Sequence, residues 1–151
     1  MSLRDQVMAT FRSQIGVQQT GDNTGPEVDM YLAAAGLGPG HPWCAAFIAW
    51  GLQQHDIQAP QSAAWSPSWF PVSRTIDNEQ AQAGDIGGIY FRTLGRIAHV
   101  FVYDHNPVRG SNFVVTIEGN TNDDGSRNGH SVMRKKRSKN VIHKSSNWID
   151  T

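Results

Sequence analysis

The spacing of apolar residues changes once along this chain, and that change limits the folds open to it. Before Gly84 they recur at helical intervals. Leu3, Val7, Phe11 and Ile15, with Met8 beside them, form one stripe that ends near Gly16. Residues 20–25 are a loop rich in turn formers. Pro26 suits the first position of a second helix, with Glu27 and Asp29 in its first turn. Val28, Tyr31, Leu32 and Ala35 are its buried stripe, and Gly36 or Gly38 stops it. A third helix is predicted over residues 44–55, and 60–71 reads as an irregular segment with one helical turn. After Gly84 the pattern turns strand-like. Residues 85–91, 97–105, 113–118, 131–137 and 140–144 are five predicted strands, with short hairpin-type connections at 92–96 and 106–112. Helices followed by antiparallel strands is an α+β order, with N-terminal helices packed on a C-terminal antiparallel sheet of about five strands. A length of 151 residues fits one domain, 1–151.

Several function classes are disfavoured by composition. Hydrophobic content of 38% and charged content of 17% argue against a disordered chain. A formal net charge of zero predicts no strong global attraction to nucleic acid or membrane. Arg127, Arg134, Lys135, Lys136, Arg137, Lys139 and Lys144 form a basic patch near the C-terminus. Arg134, Lys136 and Ser138 alternate there with Lys135, Arg137 and Lys139, so neither face of that strand is expected to be buried. The patch reads as a solvated strand face, or as an attractor for an anionic polymer. No apolar run reaches the length of a membrane span. No signal peptide is visible, since residues 1–15 are already an amphipathic pattern, so the export route stays open.

Cys44 is the only cysteine, which excludes an internal disulfide and a multi-cysteine zinc site. It is either a small buried hydrophobe or a thiol placed for chemistry. Pro42 stops any preceding helix, so Cys44 falls in the first turn of the third. Unpaired N–H groups and the helix dipole favour a thiolate there. A nucleophilic cysteine needs a base and a group that orients the base. Of six histidines, His41 is expected to line the same loop as Cys44. His55 suits a helix C-terminus, and His105, His130 and His143 sit at strand ends or exposed faces. His99 lies among the apolar residues Ile97, Ala98, Val100 and Phe101, where an imidazole needs a polar partner. It is a satisfied core histidine or the base. Glu118 closes an otherwise uncharged strand and Asn120 follows, so adjacent strands would bring both toward His99. Their bland alternatives are a strand-end charge and a turn residue.

Pro42-Trp43-Cys44-Ala45-Ala46-Phe47, then Gly84-Asp85-Ile86, then His99-Val100, then Glu118-Gly119-Asn120-Thr121-Asn122 together resemble the CHAP family, the cysteine, histidine-dependent amidohydrolases/peptidases of bacteria and phages. The likeness extends upstream through residues 23–32 and covers roughly 16–122. It implies a papain-like fold and cleavage of an amide bond in peptidoglycan, either the muramoyl-alanine amide or a bond within the stem or cross-bridge peptide. By the resemblance Cys44 is the nucleophile, His99 the general base, Glu118 the group that orients His99, and Asn120 a fourth member. The Cys44 N–H would help hold the oxyanion with a side-chain donor, either Asn23 or Tyr31. No metal or organic cofactor is implied, the partner is peptidoglycan, and the chain is expected to act as a monomer at the cell wall, in the periplasm or outside the cell. Two departures stand out. Phe101 replaces a glycine common two residues after the histidine, and would narrow the groove or pack in the core. Trp43 replaces an aspartate common before the cysteine. Trp43, Trp65 and Trp69 either wall the groove or pack in the core. Alternative readings are a cysteine amidase or acyltransferase with another substrate, and a non-catalytic wall-binding or phage structural module.

Overall fold

A computed structural model describes residues 1–121 and 129–150. Asn122 and Arg127 lie outside the described residues. Three α-helices come first: α1 (Leu3–Ser13), α2 (Pro26–Ala34) and α3 (Cys44–Gln53). Ser2 caps α1 through a reciprocal pair with Asp5, satisfying two N–H groups that the helix leaves free. Val7, Met8 and Phe11 are its buried face, while Leu3 is exposed, so the stripe is shorter than the sequence predicts. Gly36 ends α2 in the left-handed region, φ +79°, which glycine adopts without steric cost. Every residue of α3 from Cys44 to Leu52 is buried, and α3 is the helix at the centre of the core. The predicted helical turn in 60–71 is a 3₁₀ turn, Ser66–Trp69.

The strands are β1 (Thr75–Ile76), β2 (Ile86–Phe91), β3 (Arg96–Tyr103), β4 (Phe113–Thr121), β5 (Ser131–Ser138) and β6 (Ile142–Ser146). Among the described residues they form one antiparallel sheet in the order β1-β6-β2-β3-β4-β5. The sixth strand is β1. Its two residues are too few to show alternation, and it exists only through pairing with β6 at Ser145 and Ser146.

Alternation along β3 divides the core. Val100 and Val102 join the cluster built by the helices, while Phe101 and Tyr103 pack with Ala81, Val114 and Ile142 in a second cluster. Phe101 is fully buried there, so its bulk goes into the core and not into a groove. Its cross-strand partner is Gly87, whose missing side chain leaves the space the ring fills. Replacing Phe101 by alanine is expected to cost about 3–5 kcal/mol, read from denaturant unfolding. A cost under about 1 kcal/mol would mean that the second cluster collapses to close the cavity.

Strand β5 overturns the expectation that neither of its faces is buried. Arg137 is half-buried against Glu118. Arg134 donates to Asp104 at 3.2 Å, and Arg12 of α1 grips the same carboxylate at 2.9 Å. Cations occupy both faces of this strand, and both faces have acidic or aromatic neighbours; the Lys136 ammonium lies 4.4 Å from the Phe113 ring centroid.

Candidate active site

Cys44 is the first residue of α3, after Trp43 at the cap position. The first helical bond runs from the Phe47 N–H to the Trp43 carbonyl at 2.9 Å. The N–H groups of Cys44, Ala45 and Ala46 therefore have no intrahelical acceptor. Trp43 itself is fully buried, with its indole N–H on Gln19 and its ring stacked on Tyr31. It anchors the start of α3 and does not wall a groove.

Gly119 lets β4 approach that helix end. A Cβ there would meet Phe47 Cβ at 2.8 Å and the Trp43 ring at 3.0 Å. Gly119→Ala is expected to destabilise by about 1–3 kcal/mol through overpacking, measured as a fall in thermal midpoint. An unchanged midpoint would show that the contact yields freely.

Strands β3 and β4 pair only at Val102↔Ile117 and Tyr103↔Thr116. The ladder ends there, short of His99 and Glu118, and side chains carry the contact onward. His99 Nε2 lies 2.7 Å from Glu118 Oε1. Glu118 is fully buried, and β4 runs past it to Thr121, so it is not the strand-end charge that the sequence allows. Arg137 of β5 donates twice to it, Nε to Oε2 at 2.8 Å and Nη2 to Oε1 at 2.6 Å, and the Thr116 hydroxyl adds a bond at 2.6 Å. The other ring nitrogen, His99 Nδ1, is buried and has no hydrogen bond of normal geometry. The Cys44 thiol lies near enough to this ring for each group to shift the other's ionisation.

Electrostatics follow from this geometry. Burial opposes ionisation of Cys44, but the neighbouring His99 ring outweighs it, assisted by the Val100 backbone and Ser66, and the thiol falls to about 7. Burial also disfavours a charged His99, but the Glu118 carboxylate and the thiol outweigh it and raise the ring to about 9. Burial would raise Glu118, but Arg137 and His99 hold its carboxyl well below the usual range. Between those two values the favoured pair is thiolate and imidazolium. Alkylation of Cys44 by iodoacetamide is expected to rise with a midpoint near pH 7. A midpoint at the ordinary thiol value would show that the ring exerts no pull.

Cys44 is 6% exposed and reaches a cavity of about 190 Å³ lined also by Leu37, His41, Pro42, Trp65, Ser66 and Arg96. His41 and Trp65 are thus at the site; Trp65 is 54% exposed. Trp69 is core, its indole N–H on the Ala63 carbonyl and its ring against Trp148. Tyr31 is fully buried and its hydroxyl donates to Gln14, so the structure does not bring it to the thiol as an oxyanion donor. Asn23 does not line the cavity; its carbonyl accepts from the Gly40 N–H and ties the loop before α2 to the loop before α3. Asn120 is buried in the left-handed region, φ +54°, with Oδ1 unpartnered, and it makes no hydrogen bond to His99 or Cys44.

Sequence reasoning missed Ser66, whose hydroxyl lies 3.9 Å from the sulfur, and Arg137. The signal for Arg137 was a buried carboxylate that one histidine could not satisfy. The remaining histidines serve elsewhere: His55 pairs with Thr10, His130 with Ser131, His105 with the Asn106 carbonyl, and His143 stacks on Tyr90.

No family model matches the sequence, and no curated protein matches it. Solved structures do. The P60 domain of a Mycobacterium avium subspecies paratuberculosis antigen superposes with a TM-score of 0.61 at 16% identity, over 99% of this chain and 96% of that one. The peptidoglycan hydrolase RipB of Mycobacterium tuberculosis gives 0.59 at 14%, over 99% and 66%. A lipoprotein-like member of the NLP/P60 family from Staphylococcus aureus gives 0.55 at 15%, over 99% and 42%. The chain has the papain-like α+β fold of NlpC/P60 domains. At these identities the likeness is one of fold, and the CHAP likeness rests on the sequence motifs.

Proposed function

We propose that this protein is a cysteine hydrolase that cleaves an amide bond in peptidoglycan. The observation that carries this reading is the line of contacts from the Cys44 thiol through His99 and Glu118 to Arg137, opening on a solvent-reachable cavity. The fold shared with RipB supports a wall substrate, and the motif order supports a CHAP-like member of that fold. Cys44 thiolate attacks the amide carbonyl, forming the C–S bond and a tetrahedral oxyanion. The N–H groups of the first turn of α3 stabilise that oxyanion, and Ser66 supplies the side-chain donor in place of Asn23 or Tyr31. His99 releases its Nδ1 proton to the leaving amine as the C–N bond breaks. It then takes a proton from water, which attacks the thioester and frees Cys44. Glu118 fixes the ring and stabilises the imidazolium, and Arg137 keeps Glu118 ionised. The scissile bond is the muramoyl-alanine amide or one in the stem or cross-bridge peptide, and action is at the cell wall. Asn120 acts by shaping the end of β4.

The test is incubation of purified protein with sacculi of several wall chemistries, followed by mass spectrometry of the supernatant. Soluble fragments bearing a new carboxylate and a new amine are expected. An acyl group transferred to an added amine would shift the reading to a transferase, and no release from any wall would end it.

A further inference from the structure

The rim of the cavity holds a cation that the proposed chemistry does not use. Arg96 begins β3, after the 92–95 turn and three residues before His99, and it lines the same cavity as Cys44. Its Nη1 donates to the Ile97 carbonyl at 3.1 Å. Among the described residues no carboxylate pairs with it. Arg4, Arg12, Arg134 and Arg137 each hold an aspartate or glutamate; Arg74, which lies over the Trp148 ring, Arg92 and Arg109 have no such partner among the described residues either, but Arg96 is the arginine that lines the cavity with Cys44. A guanidinium carries five N–H donors, and most of those on Arg96 are uncommitted. Beside the polar His41, Cys44 and Ser66, the lining includes an apolar wall of Leu37, Pro42, Ala64 and Trp65. Such a wall lowers the local dielectric and strengthens an ionic contact made there.

We infer that Arg96 is a specificity-determining residue that binds a carboxylate of the substrate peptide beside the scissile amide. The inference rests on the peptide-hydrolase reading and narrows it to acidic peptides. Arginine suits the task because its planar fork meets both oxygens of a carboxylate, whereas a carboxamide offers one acceptor and repels the fork with its own N–H groups. A wall stem peptide offers two such groups: the α-carboxylate left free by a γ-linked glutamate, and the C-terminal carboxylate.

The test separates these sources. Binding of three synthetic peptides to the Cys44→Ala protein is measured by calorimetry: L-Ala-γ-D-Glu-L-Lys-D-Ala with both groups free, the same peptide with the glutamyl α-carboxamide, and the same peptide with the C-terminal carboxamide. One amidation is expected to weaken binding about tenfold or more, and it names the carboxylate recognised. Adding Arg96→Gln should abolish that penalty, and Arg96→Lys should keep part of it. Equal binding of all three peptides, or an undiminished penalty in Arg96→Gln, overturns the assignment. Cleavage of the free peptide by the unmutated protein is followed in parallel. Carboxylate-selective binding without cleavage keeps the Arg96 assignment and removes the hydrolase reading.

Discussion

Replacing Cys44 by alanine is expected to lower the release of soluble wall fragments by about 10⁴-fold or more, with folding intact. The side chain is small and buried at a helix start, and alanine is the best helix former. Loss of the sulfur removes the only thiol in the chain, so no neighbouring cysteine can substitute. Solubilisation of sacculi gives the rate, and circular dichroism confirms the fold. Equal release by the two proteins would exclude Cys44 as the nucleophile. Binding to sacculi by both, without release by either, would favour a wall-binding module.

Arg137→Met should have a large effect on stability. The substitution keeps an unbranched apolar stem but removes both donors to Glu118. Among the described residues, a carboxylate sealed from solvent then keeps His99, Thr116 and Thr121. Breaking one partner of a buried ion pair costs about 3–5 kcal/mol, because the other charge stays desolvated. Urea unfolding near neutral pH measures it, and a loss below about 1 kcal/mol would show that the remaining partners suffice. The pH dependence has a definite sign. Glu118 is depressed in the folded protein, so its contribution is present above the unfolded value and disappears as pH falls through the folded one. Removing Arg137 raises the folded value, so acid destabilisation of the variant should begin at higher pH. Arg137→Lys keeps the charge without the fork and should fall between the two.

Much of the helical half was legible because its signals are local. Pro26 and Gly36 bracket α2, and Pro42 precedes the helix that opens at Cys44. His99 was legible as an imidazole among valines that needed a partner, and Glu118 as a carboxylate on an uncharged strand. Other assignments stayed open where identical residue types take different surroundings. Trp43, Trp65 and Trp69 look alike in sequence. Two are sealed in the core, and only Trp65 reaches the cavity. Tyr31 carries a hydroxyl suited to an oxyanion, yet it is spent on Gln14. Arg137 sits in a run of cations that looks solvated from either face, and nothing within the run marks which cation meets a carboxylate on the adjacent strand.

The order of elements, the single thiol at a helix start and the chemistry available to each side chain follow from the sequence alone, since periodicity and caps depend on residues a few positions apart. Which of those side chains meet was decided by the tertiary structure. The short β3–β4 ladder, the register that sets Arg137 opposite Val114 and the absent side chain at Gly119 together align sulfur, imidazole, carboxylate and guanidinium. Strand pairing and helix approach join residues far apart in the chain, so no local pattern records them.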